Sequence, residues 1–286
     1  MKLHDAPQGQ PRRRSAMLLI AACALSIRVT AVFGQDSGNL DGNYAGWDAL
    51  LKKHVQWLPD QRQSRVNYRG FAADRAELKK VLDNWSAVPS TTFNSWSREA
   101  QMAFLINAYN GFTIELILTK YPNLKSIKDL GSLLQSAWKK KFFTLLGEQH
   151  HLDWIEHEQL RPRYADPRVH SAMVCASIGC PALRPEAYTA ARLEAQLEDG
   201  MARFMADRTR NRYADGQLQV SAIFKWFRED FEKPGTGGRG FKQVEDVFAK
   251  YADLLADAPA DREKIRTKHV AVTHLDYDWS LNDLAR

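Results

Sequence analysis

The sequence predicts an α+β domain built around a buried central helix, and three observations lead there. The segment "SWSREAQMAFLINAYNGFTIELILTKYP" (95–122) has helical spacing. Its middle is apolar nearly all round, through Met102, Phe104, Leu105, Ile106, Tyr109, Phe112, Ile114, Leu116, Ile117 and Leu118, and a helix apolar on every face is a buried one. Helical patterns dominate the first half of the chain, and short strands and helices mix in the second without regular βαβ alternation, which is α+β order. The 286 residues are 44% apolar and 26% charged, ordinary for a soluble domain. No apolar run reaches the roughly 18 residues that a membrane-spanning helix needs.

The N-terminus reads as a bacterial secretory signal. "PRRRS" (11–15) supplies charge, "AMLLIAACALSI" (16–27) is a short apolar run, and "AVFGQD" (31–36) offers small residues at Ala31 and Gly34. Cleavage is expected near Gly34, giving a periplasmic or secreted protein. Twin-arginine export through "RRRS" and a lipid anchor at Cys23 in "IAAC" are the competing routes. Residues 1–34 carry Lys2, Arg12, Arg13, Arg14 and Arg28 against Asp5, a net +4 of the chain's +6. The remaining +2 gives no basis for a nucleic-acid partner. Of the three cysteines, Cys175 and Cys180 then remain, in an oxidising compartment.

Residues 35–59 read as a linker and an amphipathic helix, with "YAGWDALLKKHVQWL" (44–58) apolar at helical spacing. Residues 60–282 read as one domain. Within it, "VNYRGF" (66–71) reads as extended and "DRAELKKVLDNWSAV" (74–88) as a helix stopped by Pro89. Ser97 caps the central helix, with Glu99 in its first turn and Pro122 at its end. "WKKKFFTLLGEQHHL" (138–152) reads as a hairpin around Gly147, and "LDWIEHEQLRPRY" (152–164) as a helix ended by Pro162. "RVHSAMV" (168–174) reads as a strand and 185–207 as a long helix. "GQLQVSAIF" (216–224) is a strand, followed by short helices at 225–231 and 241–255. The glycine-rich "KPGTGGRG" (233–240) lacks the Gly-Lys-Ser/Thr ending of a phosphate loop. "HVAVTHLDYDWSLN" (269–282) begins as an alternating strand.

"VHSAMVCASIGCPAL" (169–183) holds the candidate chemistry. A thiolate at Cys175 is a strong nucleophile beside a base. On a strand, His170 and Cys175 are separated by roughly 16 Å and face opposite ways, so His170 serves Cys175 only if the strand bends or breaks between them, and otherwise a nucleophile on another element. The alternatives are a Cys175–Cys180 disulfide, closed across "SIG", and two inert buried thiols. His157, His170, both cysteines, Glu156, Glu158 and Asp166 are metal-ligand types, but no CxxC or HExxH spacing is present, so neither metal nor cofactor is expected. Asn107 and Asn110 share a face of the buried helix and need partners, either neighbouring backbone or a substrate. His157, flanked by Glu156 and Glu158, is a candidate base whose pKa those carboxylates would raise. In "DYDWSLN", Asp276 and Asp278 share one face and Trp279 takes the other.

The motifs "AFLINAYNGFTIELIL", 138–197, "VSAIFKWFREDF" and "DYDWSLN" together resemble the domain-of-unknown-function family numbered 547, over roughly residues 60 to 282. The resemblance highlights Asn107, Asn110, His157, His170, Cys175, Ser177 and Cys180. It is also distantly similar to papain-like and transglutaminase-like thiol folds, which implies a central helix packed against an antiparallel sheet, with a helix-rich periphery. In those folds the nucleophilic Cys starts the central helix, whereas this helix has none.

Two functions remain open. One is a thiol-dependent hydrolase or acyl-transferase, with Cys175 as nucleophile, His157 or His170 as base, Asn107 orienting, and Asn110 and Ser177 contacting substrate. The other is a non-catalytic periplasmic binding or accessory module stapled by Cys175–Cys180. Either would take a small molecule or a peptide.

Overall fold

Seventeen of the 21 residues of the central helix are buried, including every one from Met102 to Ile114. The structure, a computed structural model, describes residues 40–132, 134–232 and 241–285. The signal segment, Cys23 and the glycine-rich loop lie outside the described residues.

The first helices build one face of the core. α1 (Leu40–His54) leads into the hairpin β1 (Val55–Trp57) and β2 (Ser64–Val66). The segment expected to be extended at 66–71 is instead mostly helix, α2 (Tyr68–Ala73). Asn67 starts it by accepting a 2.9 Å bond from the Gly70 amide. α3 (Arg75–Ser86) and α4 (Ser90–Ser95) follow, then α5 (Arg98–Leu118), capped by Ser97 through the Ala100 amide at 3.2 Å. The central helix is thus shorter than its pattern suggests, because Trp96 and Ser97 are extended and separate it from α4.

α5 is held by aromatic packing. Trp85 of α3 meets Trp47 of α1 at 5.8 Å and Phe104 of α5 at 6.5 Å, both edge-on. Gly111 is what lets α3 and α5 approach: a Cβ there would stand 2.8 Å from the Trp85 ring and 3.0 Å from Leu82. On an open helix, Gly→Ala gains about 1 kcal/mol. Here the overlap costs about 2 kcal/mol. Gly111→Ala is therefore expected to lose about 1 kcal/mol net, read as a lower urea midpoint at unchanged slope.

The hairpin β3 (Phe143–Leu145) and β4 (Glu148–His150) turns at Leu146 and Gly147, both left-handed. It packs on α5 by stacking Phe143 on Phe112 at 4.0 Å, so the central helix meets an antiparallel pair. Beyond it, Trp154–Leu160 is a π-helix, running into α6 (Arg161–Tyr164).

Residues 168–174, expected as a strand, are not one: Pro167–Ser171 is a 3₁₀ turn. Asp166 caps it by accepting from the Arg168 amide at 3.1 Å, and among the described residues no strand lies alongside to complete a ladder. The long helix expected at 185–207 is confined to α7 (Leu193–Ala206).

The C-terminal part has its own core, around Phe204, Leu218, Phe224, Phe248 and Leu255. β5 (Arg212–Ala214) pairs antiparallel with β6 (Gln217–Ser221). Then come α8 (Ile223–Trp226), α9 (Arg228–Glu232), α10 (Val244–Lys250), α11 (Ala252–Leu255) and α12 (Pro259–Arg266). β7 (Ala271–Leu275) joins β6 in parallel, with Leu218 opposite Val272. The fold is α+β, with small sheets at its margins.

Candidate functional site

An open cleft of about 180 Å³ lies between the two apolar cores, and residues distant in sequence line it. The π-helix supplies one wall with Asp153, Glu156 and His157; Tyr109 of α5 stands beside them. A π-turn displaces side chains from α-helical register and is common at functional sites. Burial and the neighbouring Asp153 charge push the Glu156 carboxyl up to about 7, against hydrogen bonding from Tyr109 and the charge of Arg161.

His170 stands on the 3₁₀ turn, its ring stacked on Phe227 at 4.0 Å. Its Nε2 lies 2.8 Å from Asp230 Oδ2. An ionised carboxylate only accepts, so Nε2 donates the proton. Burial lowers the His170 imidazole despite Asp230, because Arg161 pairs with the same carboxylate. Burial thus favours the neutral imidazole. Burial works to raise Asp230, but hydrogen bonds from His170 and Arg161 outweigh it and hold the carboxyl well below its usual range.

Arg161 links the two histidines. Its guanidinium donates to His157 Nδ1 at 2.7 Å and to Glu229 at 3.1 Å. Burial lowers His157; Asp153 raises it and Arg161 lowers it again. The upward shift expected from the flanking glutamates is therefore reversed: burial of the imidazole dominates, and the carboxylate that faces it is Asp153, 3.8 Å away, instead of Glu156 or Glu158.

The floor is sulfur. Cys175 and Cys180 are bonded to each other. Ala176, between them, adopts a left-handed φ of 62°, and its carbonyl accepts from the Asn282 amide at 3.0 Å. The Cys175 amide donates to Cys180 Sγ at 2.9 Å. The Tyr277 hydroxyl lies 3.0 Å from Cys175 Sγ and 3.1 Å from Cys180 Sγ. Gly179 makes that approach possible: a Cβ there would stand 3.0 Å from the Tyr277 ring and the Asp278 carbonyl, which accepts the Gly179 amide at 2.8 Å.

The rim is aromatic. Trp226 stacks on Trp279 at 5.8 Å, Tyr277 lies 4.5 Å from Trp279, and Trp138 meets Trp279 edge-on at 5.8 Å. Trp226 is 47% exposed, unusual for so large an apolar side chain, and Lys128 Nζ sits 3.7 Å above Trp279.

The structure thus brings His157, His170, Cys175 and Cys180 to one cleft. It places Asn107, Asn110 and Ser177 outside the lining. Asn107 donates to the Tyr188 carbonyl at 2.8 Å and accepts from its amide at 3.0 Å. Asn110 donates to the Ala172 carbonyl at 2.9 Å and accepts from the Val174 amide at 2.9 Å. Ser177 is buried where the cysteine loop bridges Leu281. Asp230, Arg161, Trp226 and Tyr277 are the contributors that sequence reasoning missed. For Tyr277 the signal was present: alternation that puts Asp276 and Asp278 on one face sends Tyr277 with Trp279 to the other. Among the described residues no cluster of three His, Cys, Asp or Glu side chains is placed to hold a metal ion, and no helix is long and apolar enough to cross a membrane.

These features define an α+β domain with an acid- and aromatic-lined cleft over a disulfide. Residues 93–205 match the family model described as "Protein of unknown function, DUF547". That segment carries α5, the π-helix, both histidines and both cysteines; Trp226, Phe227, Asp230, Tyr277 and Trp279 lie beyond it. No curated protein and no solved structure matches the chain.

Proposed function

We propose that the chain is an exported binding or accessory module whose cleft takes a small molecule or one side chain of a peptide. The observation that carries this reading is the Cys175–Cys180 bond on the cleft floor. A half-cystine has no thiolate, so the thiol-hydrolase alternative lacks its nucleophile while the bond is closed. Cleft size supports the ligand class: about 180 Å³ is close to the roughly 150 Å³ that admits a benzene and below the roughly 300 Å³ of drug-sized sites. Export is supported by the charged and apolar pattern of residues 1–34 and suits a disulfide made from the two cysteines left after it.

The test uses the full chain expressed with its own N-terminus and recovered from the periplasm. Intact mass should place the new N-terminus near Gln35. Titration of the native protein should find no free thiol, and two after denaturation with reductant. A single fast-alkylating thiol at neutral pH would overturn the binding reading and restore Cys175 as a nucleophile. An uncleaved cytoplasmic chain would overturn export, and a mature chain starting at a lipidated Cys23 would replace free secretion with anchoring.

A further inference from the structure

We propose that Cys175–Cys180 is an exchange-active disulfide that oxidises the thiols of a cysteine-bearing peptide, with Cys175 the sulfur attacked and Cys180 the sulfur that leaves. This goes beyond ligand binding and rests on that reading only in needing the bond closed in the mature chain.

The two sulfurs are not equivalent. Both line the cleft, but Cys175 is half-buried, whereas Cys180 is 5% exposed. An incoming thiolate therefore meets Cys175 first. The Tyr277 hydroxyl reaches both sulfurs, 3.0 Å from Cys175 Sγ and 3.1 Å from Cys180 Sγ, but only Cys180 Sγ also accepts the Cys175 amide, at 2.9 Å, which makes it the better-supported anion. Donors already aimed at a sulfur favour its thiolate, and a thiol of lower pKa leaves faster. Buried Arg210, paired with Asp207, donates to the carbonyl oxygen of Cys180 and holds that residue in place. A disulfide serving only as a staple has no need of an open cleft before its more exposed sulfur and a backbone donor fixed on the other.

The electrons balance without a cofactor. A substrate thiolate attacks Cys175 Sγ along the disulfide axis, forming a mixed disulfide as the Cys175–Cys180 bond breaks. Cys180 takes the electron pair as a thiolate and is then protonated. A second thiol of the substrate attacks the mixed disulfide, releases Cys175 as a thiol and leaves the substrate oxidised by two electrons. Glu156 shares the cleft and exchanges protons near neutrality, so it is placed to accept the substrate thiol's proton.

The experiment takes the oxidised mature chain and adds either reduced glutathione or a reduced two-cysteine peptide at neutral pH. Acid quenching, alkylation and peptide mass mapping follow. The expected result is a transient adduct on Cys175, and opening much faster than global unfolding measured in parallel. Tyr277→Phe should slow opening about tenfold, the loss of one hydrogen bond to a leaving thiolate. Cys180→Ala should accumulate the Cys175 adduct with oxidised glutathione. An adduct with the peptide alone, or with both thiols, supports the proposal and says which source the cleft accepts; an adduct with glutathone alone overturns the peptide assignment. Opening only at the unfolding rate, or an adduct on Cys180, overturns it altogether while leaving the binding reading intact. The wild-type mapping requires no variant to fold, and the thiol count of the starting protein reports separately on the closed bond.

Discussion

Glu156→Gln is expected to raise folding stability at pH 8 by about 3 kcal/mol and to leave it nearly unchanged at pH 4. The sign follows from which state holds the proton. Below the usual value of 4.5 both folded and unfolded chains are protonated at this position, and burial costs nothing extra. Between 4.5 and about 7 the unfolded chain releases the proton while the folded chain keeps it, so stability falls as pH rises. Above about 7 the penalty is complete, and lifting a carboxyl from 4.5 to about 7 corresponds to about 3 kcal/mol. Glutamine has the same shape, still faces Tyr109 and carries no titrating proton, so the variant lacks this fall. Urea melts at pH 4, 6 and 8 measure it directly. A difference between wild type and variant that does not grow with pH would show that Glu156 is solvated and that its environment is not the dry wall described above. The stability forgone at neutral pH is itself an argument for the cleft: a buried carboxyl with a shifted pKa, in an open pocket beside two histidines, is where function is expected to hold such a group.

The parts of this fold that were readable from sequence are those fixed by local pattern. α5 declares itself because residues 102 to 118 are apolar nearly all round, and the β3–β4 hairpin because Gly147 breaks the chain just after the apolar run Phe142–Leu146. The failures share a cause. "RVHSAMV" has strand composition, but its backbone is satisfied by the Asn110 side chain and a 3₁₀ turn instead of a neighbouring strand. Nothing local announces that. β7 finds β6 in parallel across α8 to α12, a pairing that composition does not fix. The site divides the same way. His157, His170 and the cysteines stand out as residue types, but the partner of His170 is Asp230, 60 residues on, and that of both sulfurs is Tyr277, about a hundred residues from either. Their roles depend on those partners: Asp230 turns His170 from a free base into a proton donor at Nε2, and Arg161 occupies His157 Nδ1.

Asn110→Leu is expected to cost about 4 kcal/mol. Leucine nearly matches the volume but strands two buried backbone groups, the Ala172 carbonyl and the Val174 amide, at about 1–3 kcal/mol each. Helix propensity returns less than 1 kcal/mol, so the lost bonds decide the sign. Asn107→Leu strands the Tyr188 carbonyl and amide in the same way and should cost a similar amount. Taken together the two are expected to cost less than their sum. They stand one turn apart on α5 and clamp the two ends of one segment, 172–188, which includes both cysteines. Once one end is released, part of what the other clamp holds in place is already lost. Denaturant melts of the two single variants and the double variant give the coupling. Additive costs would mean that the two ends of the loop are anchored independently and that α5 does not position the disulfide as a unit. A less-than-additive double variant makes the two asparagines a positioning device for the cleft floor: they lie outside the cleft lining, yet they fix where Cys175 stands relative to Tyr277 and His170.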